Sequence, residues 1–229
     1  MEIEEAVVSL ARAVFTETGA LVFGGHPAIS PLVAMVAGEY ITPRYVEGQG
    51  EEVETPIQIY QSRAFEGYLP DETLMMFRAG YATLHWTEAV GGERFDPATS
   101  RDRPFCPRSL QSMRERMVRE TAPVAMVCIG GMEGVEREVE TFREIRRGAP
   151  IYVFGETGGA AALLARERGN ESLRVIDQEI LERLEPLRRS RERETVEAPS
   201  EPGKPVTPYP LIAQMLVEEL VHLDDRQWR

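Results

Sequence analysis

Cysteine and histidine are scarce in this chain of 229 residues. Its two cysteines are too few for a disulfide framework, and its three histidines lack the spacing of a zinc motif. No apolar run approaches the roughly 18 residues that a membrane-spanning helix needs. The first five residues are acidic where a signal peptide would be basic. These absences predict a cytoplasmic protein in a reducing compartment, and neither a metal site nor a cofactor is expected.

Positive charge is also in short supply. The chain holds 26 lysines and arginines against 38 aspartates and glutamates, so its formal net charge is −12. A surface this acidic repels polymers of phosphate, which excludes nucleic acid as an expected partner. A small anionic ligand stays compatible with this charge, because backbone N–H groups and one or two arginines can oppose it locally.

Short apolar runs alternate with stretches of helical spacing. Five runs are typical of buried strands, at residues 20–23, 57–60, 82–86, 124–129 and 151–154. The run 124–129 is continuously apolar, which predicts a central strand covered on both faces. The alternation predicts an α/β fold, a Rossmann-like doubly wound parallel sheet with helices on both faces.

Composition changes sharply after residue 187. Residues 1–187 form the predicted α/β domain. Residues 188–210 open with a charged run and hold five prolines from 199 to 210, which predicts a linker or extended arm. Residues 211–229 return to helical spacing and predict a C-terminal amphipathic helix that docks on the domain or on a partner subunit.

Three glycine-bearing turns follow predicted strands, at residues 24–25, 130–134 and 158–159. Glycine lets the backbone approach a ligand closely, and the following helix can direct N–H groups at an anion. Ligands of parallel sheets bind at the carboxyl ends of the strands. We therefore expect the three turns to end strands of one sheet and to face one crevice. The alternative is that these glycines only form tight turns in a structural subunit.

The run 128–138, Cys-Ile-Gly-Gly-Met-Glu-Gly-Val-Glu-Arg-Glu, resembles the PGGxGTxxE motif of the Lonely Guy (lysine decarboxylase-like) proteins. Those proteins belong to the SLOG superfamily of Rossmann-like nucleotide-binding domains. Residues 112–117 lie where that family has its Met/Arg helix. Residues 24–29 and 157–161 resemble the first and last conserved turns of bacterial SLOG domains of the STALD/LSDAT-like group. The resemblance covers residues 1–187.

The resemblance implies a protein that binds or senses a nucleotide-derived ligand. SLOG domains of antiphage Thoeris effectors bind cyclic ADP-ribose-type signals, so an ADP-ribose or cyclic ADP-ribose type of ligand, in antiphage or stress signalling, is expected. The alternative is a Lonely Guy-like phosphoribohydrolase that cleaves the N-glycosidic bond of a nucleoside monophosphate. In that case Arg114 and Glu138 match the catalytic arginine and glutamate of the family, with Arg116 as the competing arginine.

The motif also departs from the family pattern. Ile129 replaces its proline, Val135 replaces its threonine, and one residue, Met132 or Glu133, is extra. Loss of the threonine hydroxyl removes a phosphate donor, and an added carboxylate repels phosphate. The departures therefore weaken the hydrolase interpretation and favour ribose hydroxyls at this turn, with the phosphates towards Arg114.

The expected ligand-binding residues come from the three turns and from the helix that carries the arginines. They are Gly24, Gly25, His26, Pro27, Arg114, Arg116, Gly130, Gly131, Met132, Glu133, Gly134, Val135, Glu138, Thr157, Gly158 and Gly159. We also expect a homodimer or higher homo-oligomer, in which the C-terminal helix is a natural dimer element. With no effector domain in the sequence, a separately encoded effector protein is the expected partner.

Overall fold

The computed structural model describes residues 2–26, 28–40, 55–98, 105–132, 134–167, 173–194 and 206–227. The helices in these ranges are α1 (Glu2–Thr16), α2 (Ser30–Tyr40), α3 (Asp71–Arg78), α4 (Pro107–Thr121), α5 (Gly134–Ile145), α6 (Gly159–Leu164), α7 (Ile176–Glu194) and α8 (Tyr209–Gln227). The strands are β1 (Leu21–Gly24), β2 (Ile57–Ser62), β3 (Thr83–Thr87), β4 (Met126–Ile129), β5 (Ile151–Phe154) and β6 (Leu173–Val175). No helix within these ranges is long and apolar enough to cross a membrane.

The chain divides into two compact units. Unit 1 comprises Met1–Leu10, Val124–Val139 and Gly148–Arg229, and unit 2 comprises Ala11–Pro123 and Glu140–Arg147. Unit 1 holds a parallel sheet of order β4-β5-β6, and unit 2 holds a parallel sheet of order β1-β2-β3. Each sheet is built from three consecutive strands joined by connections that contain helices.

This architecture confirms the predicted fold class. The protein is α/β, its strands are parallel and flanked by helices, and two successive βαβαβ segments are the element order of a Rossmann-like fold. The described strands nevertheless form two three-stranded sheets where the sequence predicted one continuous sheet. Apolar periodicity identifies strands but carries no information about which strands pair, because pairing joins residues that are distant in the sequence.

β5 is the most buried strand of unit 1. Its four residues are each fully buried, because β5 lies between β4 and β6. β4 lies at the edge of the described sheet, and only Cys128 among its four residues is fully buried. The prediction that 124–129 is the central strand is therefore wrong. The runs of β4 and β5 are similarly apolar, so composition could not rank them.

The C-terminal region is more helical than the composition suggests. α7 continues to Glu194, so the charged run at 188–193 is helical and the domain boundary predicted at residue 187 falls inside this helix. Arginine and glutamate are good helix formers, which allows a strongly charged segment to extend a helix. Residues 195–205 lie outside the described ranges.

α8 packs within unit 1 through one apolar face. The Tyr209 ring stacks on the Phe154 ring with centroids 6.1 Å apart. Further along α8, Glu219 accepts a hydrogen bond of 2.7 Å from the Tyr152 hydroxyl and forms an ion pair with Arg174. The buried residues of the helix are Tyr209, Ile212, Ala213, Leu216 and Val217. The helix thus docks on its own chain.

Candidate functional site

Two glycine turns of unit 1 interlock at the carboxyl ends of β4 and β5. The N–H groups of Ala160 and Ala161, in the first turn of α6, donate to the carbonyls of Gly131 (3.0 Å) and Gly130 (2.9 Å). The buried Thr157 hydroxyl accepts the Gly130 N–H at 2.8 Å and donates to the Phe154 carbonyl at 2.6 Å. The two turns therefore form one hydrogen-bonded assembly.

The glycines of this assembly are required by the fold. Gly130, Gly131 and Gly159 all have positive φ angles, 57°, 88° and 57°. A Cβ on Gly159 would overlap the Gly131 carbonyl oxygen, and a Cβ on Gly131 would overlap the Val135 side chain. Because the Ala160 and Ala161 N–H groups already have partners and a Cβ on Gly159 would clash, Gly159 serves the contact between the two turns. Gly158 has open space around its Cβ position, so only its positive φ of 78° favours glycine there.

A buried carboxylate accepts a hydrogen bond from the turn that follows β5. Asp177, fully buried near the start of α7, accepts the Glu156 N–H at 2.7 Å and the Gln178 N–H at 3.0 Å. Burial raises the pKa of this carboxyl, although the backbone donors oppose the shift. Sequence reasoning missed Asp177, because an acid in the first turn of a helix has no motif of its own.

One part of the assembly stays open. Gly131 and Met132 are exposed, Met132 to 76%, and their N–H groups donate to no acceptor among the described residues. The twelve-residue helix α5 begins at Gly134, and its Val135 N–H is used by the Met132 carbonyl at 2.9 Å. Successive free N–H groups ahead of a helix N-terminus can bind an oxygen-rich ligand.

The first predicted turn lies in unit 2 and has a different character. Neither Gly24 nor Gly25 has a positive φ, and a Cβ on Gly24 would meet its nearest neighbour, Met113 Cε, at an ordinary 3.6 Å. The exposed His26 shapes the turn, because its Nδ1 accepts the Ala28 N–H at 3.2 Å. Ser30, the fully buried first residue of α2, has a hydroxyl without a hydrogen-bond partner among the described residues.

The two candidate arginines lie on α4, in unit 2. Arg114 is 6% exposed, so its guanidinium could reach a ligand only in an enclosed pocket. Arg116 is engaged: it pairs with Glu120 at 2.6 Å and donates to the Trp86 carbonyl at 3.0 Å. The hydrogen bond to Glu120 raises the pKa of Arg116 and keeps it charged.

The N-terminus of α4 is capped by a carboxylate of the protein itself, that of Glu93. The Glu93 carboxylate accepts N–H groups from Ser109 (2.8 Å) and Arg108 (3.3 Å) and pairs with the Arg108 guanidinium at 3.2 Å. Partial burial opposes ionisation of Glu93, but these hydrogen bonds outweigh it and lower its pKa to about 2. Sequence reasoning missed this contact, which joins residues more than a dozen positions apart.

The predicted site residues are thus divided between the units. Unit 2 carries the turn at 24–26 together with Arg114 and Arg116, and unit 1 carries the turns at 130–132 and 157–159 with the start of α5 up to the partly exposed Glu138. Pro27 and Glu133 lie outside the described ranges. Within the described ranges, no group of three or more His, Cys, Asp or Glu side chains could hold a metal ion.

Comparison with known proteins identifies the family. The model of the SLOG cluster3 family matches residues 1–184, which include all six of the described strands. No curated protein and no solved structure shows significant similarity to the chain. The match confirms membership of the SLOG superfamily, and this membership indicates a nucleotide-related function. The chain belongs to the SLOG cluster3 family.

Proposed function

We propose that the protein binds a nucleotide-derived small molecule of the ADP-ribose or cyclic ADP-ribose type and acts as a sensor of that ligand. Family membership supports the nucleotide class. The observation that carries the placement is the exposed turn of unit 1, where the Gly131 and Met132 N–H groups have no acceptor among the described residues. Unused backbone donors at the carboxyl end of a parallel strand favour a ligand with oxygen acceptors.

The side chains around this turn favour ribose over a bare phosphate. Val135 offers no hydroxyl to a phosphate, and the exposed Glu136 adds negative charge in the first turn of α5. Like charge disfavours a bare phosphate there, whereas a carboxylate readily accepts bonds from ribose hydroxyls. An ADP-ribose-type ligand supplies such hydroxyls.

Titration calorimetry with ADP-ribose, cyclic ADP-ribose and AMP tests the proposal. Gly131→Ala would place a methyl group against Val135 and displace the turn, so we expect ADP-ribose affinity to fall at least tenfold. Gly148→Ala is the matched control in unit 1, because Gly148 has a similar φ of 84° but open space around its Cβ position. It should bind like the wild type. Equal loss in both variants, or no binding by the wild type, would contradict the proposal.

A double variant separates the effect on folding from the effect on binding. Gly131→Ala combined with Val135→Ala removes the methyl group that the new Cβ would overlap. The double variant should regain the circular dichroism spectrum of the wild type and part of its affinity. If the double variant folds normally and binds no better than Gly131→Ala, the displaced turn is not the cause of the lost affinity.

The hydrolase alternative has its own assay. Wild-type protein is incubated with AMP, and release of adenine is followed by chromatography. Our proposal expects no release. Release that is lost in Glu138→Gln would assign the site to a phosphoribohydrolase. The homo-oligomer, the separately encoded effector and the cytoplasmic location stay predictions, and light scattering with and without ADP-ribose tests the first of them.

A further inference from the structure

Four aromatic side chains meet at the surface of unit 2. Phe95 is the centre: the Phe65 ring stacks on it with centroids 5.1 Å apart, and the rings of Tyr68 and Phe105 stand perpendicular to it at 4.9 and 5.2 Å. We call these four residues the aromatic cluster. Phe65 and Tyr68 follow β2, and Phe95 and Phe105 lie between β3 and α4. The cluster therefore gathers the connections at the carboxyl ends of two neighbouring strands, which is the ligand-binding edge of a parallel sheet.

Hydrogen bonds hold the segment that carries Phe95. The Phe95 N–H donates to the Ala64 carbonyl at 2.8 Å, which fixes it against the turn after β2. Two residues earlier, the Glu93 carboxylate is tied to the α4 N-terminus, and the Val90 N–H donates to the Ser109 hydroxyl at 2.9 Å. The cluster is therefore a preorganised feature of the fold rather than a chance contact of loop side chains.

The cluster is held in place and yet remains open. Tyr68 is 49% exposed and Phe105 is 42% exposed. Aromatic side chains of this size contribute most to stability when they are buried, so two half-exposed rings on an ordered scaffold leave apolar surface unused. Another planar ring can stack on the exposed face of such a ring or pack against it edge to face.

We propose that the aromatic cluster is a stacking platform for a planar base of a nucleotide-derived ligand. The ligand class rests on the proposed function. The small size of the surface favours a base over a protein partner, because two half-exposed rings fall far short of the roughly 800 Å² per partner of a stable interface. The charge of this group is net negative, since one arginine, Arg63, pairs with both Glu66 (2.9 Å) and Glu88 (3.1 Å), which suits a neutral ring better than a phosphate.

Adenosine and ribose 5-phosphate are the two probes, because one carries a base without phosphate and the other a phosphate without a base. Tyr68→Ala and Phe105→Ala should each weaken adenosine binding about tenfold, the usual cost of removing one aromatic partner of a stacked base. Both should leave ribose 5-phosphate binding unchanged. Tyr68→Phe keeps the ring and should retain adenosine affinity.

Phe77→Ala is the matched control. Phe77 is 49% exposed, as Tyr68 is, and it lies on α3 in the same unit without a ring contact among the described residues. It should bind both probes like the wild type. The proposal is overturned if adenosine affinity is unaffected by Tyr68→Ala and Phe105→Ala, or if Phe77→Ala weakens it equally. It is also overturned if ribose 5-phosphate binding falls in parallel.

These outcomes are distinct from failure of the proposed function. Adenosine binding that depends on Tyr68 and survives Gly131→Ala supports the platform even if ADP-ribose-type ligands show no dependence on Gly131. The converse result is that the wild-type protein binds ADP-ribose in a way that depends on Gly131 and yet fails to bind adenosine. That result supports the proposed function and overturns the stacking platform.

Discussion

Glycine turns follow the first strand of each sheet, but the two units use their glycines differently. In unit 1, Gly130, Gly131 and Gly159 have left-handed backbone angles and leave no room for a methyl group. In unit 2, Gly24 and Gly25 lack a positive φ, and a methyl group on either would come no closer than 3.4 Å to a neighbouring atom. A glycine after a strand is therefore no evidence for a ligand until the fold's own need for it is known.

Because of this difference, a ligand site is supported by different observations in the two units. In unit 1 a ligand is supported by the N–H groups of Gly131 and Met132, which have no acceptor among the described residues, because the glycines themselves are explained by packing. In unit 2 neither glycine has a positive φ or a clash at its Cβ position, and a Cβ on Gly25 would lie in ordinary contact with Gln61 and Leu69 at 3.4 Å. Glycine is thus required by the backbone in the turns of unit 1 and not in the turn of unit 2, so in neither unit do the glycines alone identify a ligand site.

The largest expected effect comes from Gly159→Ala in unit 1. Its Cβ would overlap the Gly131 carbonyl oxygen and break the contact between the two turns, on top of the strain of a positive φ. We expect a loss of about 3 kcal/mol or more in the free energy of unfolding, measured by urea denaturation. Gly148→Ala, strained but without a clash, should lose only about 1 kcal/mol. Equal losses would show that the interlocked turns do not depend on this glycine.

An intermediate effect is expected from Glu93→Gln in unit 2, where the chain's own carboxylate caps α4. Removing this charge should lower the free energy of unfolding at pH 7 by about 1–2 kcal/mol. The pKa of Glu93 is lowered to about 2 from an ordinary value of 4.5. Its contribution is therefore complete above pH 4.5 and is lost as the pH falls towards 2.

Thermal melts of the wild type and of Glu93→Gln between pH 4.5 and pH 2 test whether the contribution of Glu93 to stability falls with pH. The difference in melting temperature should shrink steadily from pH 4.5 down to pH 2. Glu66→Gln is the control, because Glu66 forms a largely exposed ion pair with Arg63 and should change the free energy of unfolding by less than about 0.5 kcal/mol. A difference for Glu93→Gln that does not vary with pH would mean that its charge is irrelevant to the cap.

Local patterns in the sequence were sufficient for the fold class and for the turns. Apolar runs located five of the six described strands, and the glycines after β1, β4 and β5 marked three turns that the structure contains. The runs missed β6, because its three residues, Leu173–Val175, have an arginine at their centre. Features that depend on contacts between residues distant in the sequence were not predicted. The order β4-β5-β6 buries β5 rather than the equally apolar β4, and no local pattern distinguishes a central strand from an edge strand.

The candidate site shows the same limit. Glu93 and Asp177 satisfy backbone donors of remote segments, and the aromatic cluster joins residues from three separate stretches of chain. None of these contacts has a motif, because each depends on which loops the strands bring together. Arg114 is the converse case: family spacing singles it out, but only the folded helix shows that it belongs to the buried face of α4.

Among the glycine substitutions, Gly24→Ala should have the smallest effect on stability, and it is the sharpest test of the contrast between the units. The new methyl group would lie 3.6 Å from Met113 Cε and 3.9 Å from the Tyr60 carbonyl oxygen, so the free energy of unfolding should stay within about 1 kcal/mol of the wild type. A loss as large as that of Gly159→Ala would show that both units need their glycines for folding. Because the variant should fold normally, its ADP-ribose affinity reports on the ligand alone. Weaker binding at unchanged stability would place ligand against the backbone at the end of β1. Unchanged binding would leave, as the binding element, the Gly131 and Met132 N–H groups, which have no acceptor among the residues that the structure describes.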